Sequence, residues 1–194
     1  MRKIPTLFRR NPNDLRHVTP EVHPDCRWVL DGEGTPTRKY DGTCVLFDGI
    51  RWWARREVKP GKKTPNGYRP VMTDDATGKT VGWEPIEQSS FAKFHADALT
   101  RDIVDHSIGR IPQVDATYEL VGPRVNGNPE NVSEHLLVRH GYRAEADSDE
   151  LANLKLDFDS LRDWLHAHPE WEGIVWHHPD GRHAKLKRRD FPTA

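Results

Sequence analysis

The stretch "TCVLFDGIRWWARREV", residues 43–58, decides the architecture. Two strand-forming runs flank Asp48-Gly49, and a two-residue Asp-Gly loop between apolar runs is a strong short-range signal for a β-hairpin. Hairpin strands are antiparallel, whereas parallel strands need a long crossover connection. Working outward, "EGIVWHH" (172–178) and "RHAKLKR" (182–188) flank "PDG" and predict a second hairpin. "DATYELVG" (115–122) and "HLLVRHGY" (135–142) predict further strands. "SSFAKFHADALTRDI" (89–103) has Phe91, Phe94 and Ala98 at helical spacing with Ser89 or Ser90 as cap. "DFDSLRDWLHAH" (157–168) predicts an amphipathic helix with Leu161, Trp164 and Leu165 inward, ending before Pro169. Residues 59–70, broken by Pro60, Gly61, Pro65 and Gly67, read as a loop. Residues 1–34 read as an irregular lead-in with one short strand, "CRWVL" (26–30), packed on a single domain that fills 35–194. The expected class is α+β, with antiparallel sheets and flanking helices.

Composition narrows the function. The 194 residues are 35% hydrophobic and 30% charged, which describes a polar-surfaced globular protein. No apolar run approaches a membrane span, and "MRKIPTLFRR" lacks a signal-peptide core, so no membrane partner is expected. Two cysteines, Cys26 and Cys44, offer neither a disulfide framework nor a zinc pattern, which favours a reducing, cytoplasmic setting. His177, His178 and His183 do not make a zinc set either, because adjacent strand residues project to opposite faces. The net charge of −1 conceals basic runs at 51–63 and 182–191 and an acidic run, "AEADSDE", at 144–150. Local basic segments in a neutral chain suit a phosphate site better than general coating of nucleic acid. No GxGxxG or P-loop is present.

Four strings carry charge into apolar surroundings: "KYDG" (39–42), "YELVG" (118–122), "EGIVW" (172–176) and "KLK" (185–187). Lys185 and Lys187 are two apart on a strand and share a face, where they repel unless an anion lies between them. Glu119 and Glu172 stand where a carboxylate is costly without a cation or donor. A phosphate ligand with a divalent metal satisfies both pairs at once.

In this order the strings resemble the motifs of the covalent nucleotidyltransferases: DNA ligases, RNA ligases and capping enzymes. "KYDG" is similar to motif I, "YELVG" to motif III, "EGIVW" to motif IV and "KLK" to motif V. "RREVKPGKK" (55–63) and "ELVGPRVNGNPE" (119–130) look like ATP-dependent RNA ligases of the RNA ligase 1 type. The resemblance implies a ligase-type adenylation domain in which Lys39 attacks the α-phosphorus of ATP and carries AMP. AMP then passes to an RNA 5′-phosphate and a 3′-hydroxyl displaces it, a chemistry of RNA repair or processing. Lys185 and Lys187 would hold the α-phosphate, and Glu172 a Mg²⁺ or Mn²⁺ ion. Glu119 and one arginine, Arg55 ahead of Arg56, would bind the ribose. Asp41 would orient the motif I loop, Gly42 would admit the nucleotide, and Val175 would pack on adenine. Nearby cations would lower the lysine's ordinary pKa of about 10.4 toward the free amine that attack requires. Trp52 and Trp53 point oppositely, one to the core and the other open to an RNA base. Asn126 and Asn128 read as turn residues. Only "RRDFPTA" follows Lys187, so no OB-fold domain is expected in this chain. A minimal DNA ligase and a non-sealing nucleotide-binding module are the alternative readings.

Overall fold

The computed structural model describes residues 3–102, 115–141 and 150–192. In chain order its elements are β1 (Phe8–Asn11), β2 (Asp14–Val22), α1 (Arg27–Leu30), β3 (Thr35–Lys39), β4 (Thr43–Phe47), β5 (Trp52–Val58), β6 (Arg69–Thr73), β7 (Thr80–Pro85), α2 (Ala92–Asp102), β8 (Ala116–Val121), β9 (Leu136–Arg139), α3 (Phe158–Ala167), β10 (Gly173–His177) and β11 (His183–Lys187). Among the described residues the strands form three sheets, ordered β1-β2, β11-β10-β3 and β6-β7-β5-β4-β8-β9. Every strand pair in them is antiparallel. The expected α+β class with antiparallel sheets is what the chain forms. No helix among the described residues is long and apolar enough to cross a membrane. The acidic run at 144–150 lies outside the described residues except for Glu150.

The chain divides into two compact units. Residues 41–140 hold the six-stranded sheet. Val45 pairs with Ala54 on one side and Tyr118 on the other, and strand alternation sends all three to the same face. They pack there with Trp52, Ile86, Ala98, Leu120, Val125 and Leu137. Each valine, leucine or isoleucine of this set withdrawn from water contributes about 1.5–3 kcal/mol. A slip of one residue would turn the set outward, so the core pins the register. Before α2, the Ser89 hydroxyl accepts the Phe91 N–H at 3.3 Å.

Residues 3–40 and 141–194 form the other unit, which holds the two smaller sheets. Ile174 and Trp176 of β10 and Ala184 and Leu186 of β11 are buried among Leu161 and Leu165 of α3, Trp28, Val29 and Phe191. Asp157 caps α3 by accepting the Ser160 N–H at 2.9 Å.

Four local readings change. "CRWVL" is a helical turn and not a strand: Pro24–Cys26 is a 3-10 turn that leads directly into α1. Proline at the first position of that turn and Asp25 beside it are helix-start chemistry. The lead-in also contains the β1-β2 hairpin, which Pro20 and the scarcity of buried side chains conceal. A further hairpin, β6-β7, begins at Arg69 inside the expected loop. In the 43–58 hairpin, the Asp48 N–H donates to the Arg51 carbonyl at 3.2 Å, so the turn centres on Gly49-Ile50. The Asp48 carboxylate accepts the N–H groups of Ile50, Arg51 and the Trp53 indole. These donors, Arg51 first and then Trp53, pull its pKa down to about 2.

Candidate active site

β10 runs between β3 and β11, and its register builds a cationic face. Gly173 lies opposite both Lys39 and Lys187, and Val175 opposite both Thr37 and Lys185. Opposed residues share a face, as do residues two apart, so Lys39, Lys185, Lys187 and Val175 stand on one side. Ile174 and Leu186 take the other side into the core. Lys39 is therefore the last residue of a strand and not a solvated turn residue. Gly173 is dictated by packing, because a Cβ there would lie 2.1 Å from the Leu186 carbonyl oxygen.

Glu172, one residue before β10, accepts a hydrogen bond from Lys39 Nζ on Oε2 and from Lys187 Nζ on Oε1. Lys39 Nζ also donates to the Tyr40 carbonyl at 3.3 Å. The Glu172 side chain is only 9% exposed. Burial alone would push its carboxyl up, but the two ammonium groups outweigh burial and hold it below the usual carboxylate range. Lys185 is shifted down as well, in its case against the charged form: burial first, then the charges of Lys187 and Lys39, bring its ammonium down to about 8. Three ammonium groups and one carboxylate leave a surplus of two positive charges on a partly dehydrated face. That surplus is a place for an anion.

Asp190, which the sequence reading passed over, closes the end of β11. Its buried carboxylate accepts the Lys187 N–H at 2.9 Å and the Arg10 guanidinium at 2.8 Å. The signal was an acid three residues after Lys187, the spacing of a capping box.

The remaining candidates belong to the six-stranded unit. Cys44 pairs with Glu119, and because Val45 and Tyr118 face the core, Cys44, Thr117 and Glu119 face away from it. Ala54 also faces the core, which sets Arg55 on the Glu119 side and Arg56 on the other, with its Nε 4.0 Å from Glu84. Glu119 Oε1 accepts the Gly42 N–H at 3.0 Å. The Asp41 N–H donates to Glu130 Oε1 at 2.7 Å, and Asn126 Nδ2 donates to the Gly42 carbonyl at 2.7 Å. Asn126 and Asn128 have φ of 50° and 60°, as turn residues. Gly42 approaches β8 so closely that a Cβ would lie 2.2 Å from the Leu120 carbonyl oxygen. The "KYDG" string thus crosses from one unit to the other between Tyr40 and Asp41. Glu130 and His140 escaped the sequence reading, and no local pattern marks either. Neither adjacent tryptophan is open: Trp52 is in the core, and Trp53 is 2% exposed beneath the Arg69 guanidinium, 3.8 Å from its ring centre. His177 faces His183 across the β10-β11 pair, while His178 turns to Glu33 at 2.9 Å.

Comparison with known proteins gives two matches. The RNA ligase 1 family model matches residues 105–192, a span that includes Glu119, Glu172, Val175, Lys185 and Lys187 and leaves Lys39 outside. The curated RNA ligase 1 of Pongo abelii is 30% identical over 139 residues, covering 59% of this chain and 41% of that protein. The chain therefore spans less than half the length of the relative it matches. The two matches carry the same name and support an RNA ligase-type family for this chain.

Proposed function

We propose that the chain is an ATP-dependent RNA ligase built on a nucleotidyltransferase-type fold, with Lys39 as its nucleophile. The observation that carries the reading is the pairing of Glu172 with both Lys39 and Lys187, beside Lys185 in the next row of the same face. A lysine that only decorated a turn would not be held by a buried carboxylate among two further lysines.

In the first step Lys39 Nζ, having given up its proton, bonds to the α-phosphorus of ATP. The bond to the pyrophosphate oxygen breaks, and the electron pair leaves with pyrophosphate. Lys185 and Lys187 neutralise the α-phosphate oxygens, and Glu172 aims the Lys39 amine. An RNA 5′-phosphate oxygen then attacks the same phosphorus and frees Lys39. Finally a 3′-hydroxyl attacks the activated 5′-phosphorus, a phosphodiester bond forms, and AMP departs. Such transfers depend on positioning and charge neutralisation more than on covalent help from other side chains. The reading gives Glu119 and Arg55 the ribose, Asp41 and Gly42 the loop beside the nucleotide, and Val175 the adenine. Arg56, turned to the other sheet face, is the weaker candidate for a nucleotide contact.

Glu172 is the residue that would hold a divalent ion. Each of its carboxylate oxygens receives one ammonium and keeps further lone-pair capacity. One carboxylate completed by substrate phosphates is a donor set that Mg²⁺ or Mn²⁺ accepts. When bound, such an ion supplies charge neutralisation to the phosphates.

The test is incubation with α-labelled ATP and Mg²⁺ or Mn²⁺, followed by denaturing electrophoresis. The expected result is label on the protein, absent from Lys39→Ala and discharged by 5′-phosphorylated RNA. A folded, AMP-free protein that takes no label with either metal would reduce the pocket to a binding module. Discharge by DNA alone would move the assignment to a DNA ligase.

A further inference from the structure

A second cluster lies wholly within the six-stranded unit. The donor atoms of Cys44, Glu119 and His140 all lie within 4.8 Å of one another. Sheet register explains the convergence: Cys44 and Glu119 are directly opposed, and His140 follows β9 with its N–H donating to the Thr117 carbonyl at 3.0 Å. The His140 ring is gripped at both nitrogens, with Nδ1 2.8 Å from the Thr117 hydroxyl and Nε2 3.0 Å from Glu119 Oε2. A threonine hydroxyl can accept as well as donate. When it accepts from Nδ1–H, the lone pair of Nε2 and the Glu119 carboxylate point at one another, an arrangement that a bridging cation relieves. A proton can serve, and so can a metal ion.

We propose that Cys44 Sγ, Glu119 Oε2 and His140 Nε2 form a site for a soft divalent cation of the zinc class, with a fourth position open to water. Sulfur selects zinc over magnesium or calcium, and thiolate, imidazole and carboxylate are each zinc ligands, three of which leave a fourth tetrahedral position open. Tetrahedral zinc needs its donors about 3.3–3.8 Å apart, so the Nε2–Oε2 pair opens slightly from 3.0 Å and Cys44 Sγ closes on it by up to roughly 1 Å. The supporting contacts are present: Thr117 fixes the imidazole through Nδ1, and the Gly42 N–H holds the other oxygen of Glu119. The ion takes the place of the Nε2–Oε2 proton, and the Cys44 thiol proton leaves to solvent. An ion in this site withdraws Glu119 from other partners. On the nucleotide-transfer reading, on which this consequence alone rests, zinc-class cations suppress adenylylation where Mg²⁺ supports it.

The experiment titrates the full chain, stripped with a chelator, with Co²⁺ as the spectroscopic probe and then displaces it with Zn²⁺. A thiolate-to-cobalt charge-transfer band is expected. It should vanish in Cys44→Ser, weaken in His140→Gln, and persist in Cys26→Ser, because Cys26 is buried and burial raises its thiol pKa to about 11. Thr117→Val should keep the band but weaken Co²⁺ binding by about 10- to 100-fold. Circular dichroism checks that each variant is folded. Absence of the band, or a band that survives Cys44→Ser, overturns the proposal. The band requires no catalysis, so failure of the site and failure of the ligase reading are separate results.

Discussion

Lys185 carries a visible cost for its position. Its ammonium sits at about 8 against an ordinary 10.5, first because of burial and then because of Lys187 and Lys39. Between those pH values the unfolded chain binds more protons than the native one, so stability rises with pH through that window. Below pH 8 the penalty is fully present and amounts to roughly 3 kcal/mol, at about 1.4 kcal/mol per pH unit. Lys185→Met is therefore expected to raise the urea midpoint at pH 7, with the gain shrinking by pH 10, and to abolish AMP transfer. An unchanged or lowered midpoint at pH 7 would show that the charge is not the strained element. Glu172→Gln should act in the opposite direction, because it strips two lysines of their shared counter-charge. A loss of about 3–5 kcal/mol is expected at pH 7, as for one partner removed from a buried pair. The pKa of Glu172 is lowered in the fold, so its contribution is complete above the ordinary carboxylate value. It fades as pH falls through the native value. The stability gap between wild type and Glu172→Gln should accordingly narrow at pH 3 in denaturation curves.

At the scale of elements, β10 is the strand on which the cationic face depends. Gly173→Ala drives a Cβ into the Leu186 carbonyl, a backbone atom that cannot swing aside. The variant is expected to lose about 1–3 kcal/mol or more and to separate Lys39 from Lys187. Far-ultraviolet circular dichroism and the labelled-ATP assay would read the two effects separately, and a wild-type midpoint would mean that the β10-β11 pairing is looser than drawn. β10, β11, β4, β5 and α3 were legible because turn residues and apolar periodicity agree in them. β2 and β6 were not, because each contains a proline and buries little, so the alternation that marks a half-buried strand is missing. The tetrapeptide of α1 is too short to display any period. Lys39, Glu172, Lys185 and Lys187 could be read because each sits in a compact string. Glu130 and His140 could not, because their partners Asp41 and Glu119 are remote in sequence, and Asp190 showed only its capping spacing to Lys187 while its partner Arg10 is remote.

At the scale of the whole molecule, a chain of net charge −1 has no general attraction for anions, so the proposed function assigns stabilisation by a nucleotide to the local surplus at the three lysines. A ligand that binds only the native state at a hundredfold excess over its Kd adds about 2.7 kcal/mol. For a chain of this size that corresponds to a rise in Tm of roughly 5–11 °C, at about 2–4 °C per kcal/mol. ATP without divalent metal should produce such a rise in wild type, and most of it should disappear in a Lys185→Met, Lys187→Met double variant. The lysines and Glu172 are largely withdrawn from water, so salt should screen this effect less than it screens exposed pairs. A rise that collapses in moderate salt, or that survives loss of both lysines, would place the nucleotide on the exposed basic loops instead. After incubation with ATP and Mg²⁺ followed by dialysis, wild type should retain part of the rise, because a covalently held phosphate remains among the lysines. Lys39→Ala should bind reversibly and return to its starting Tm. Retention in Lys39→Ala would mean that tight non-covalent binding, not AMP on Lys39, stabilises the fold.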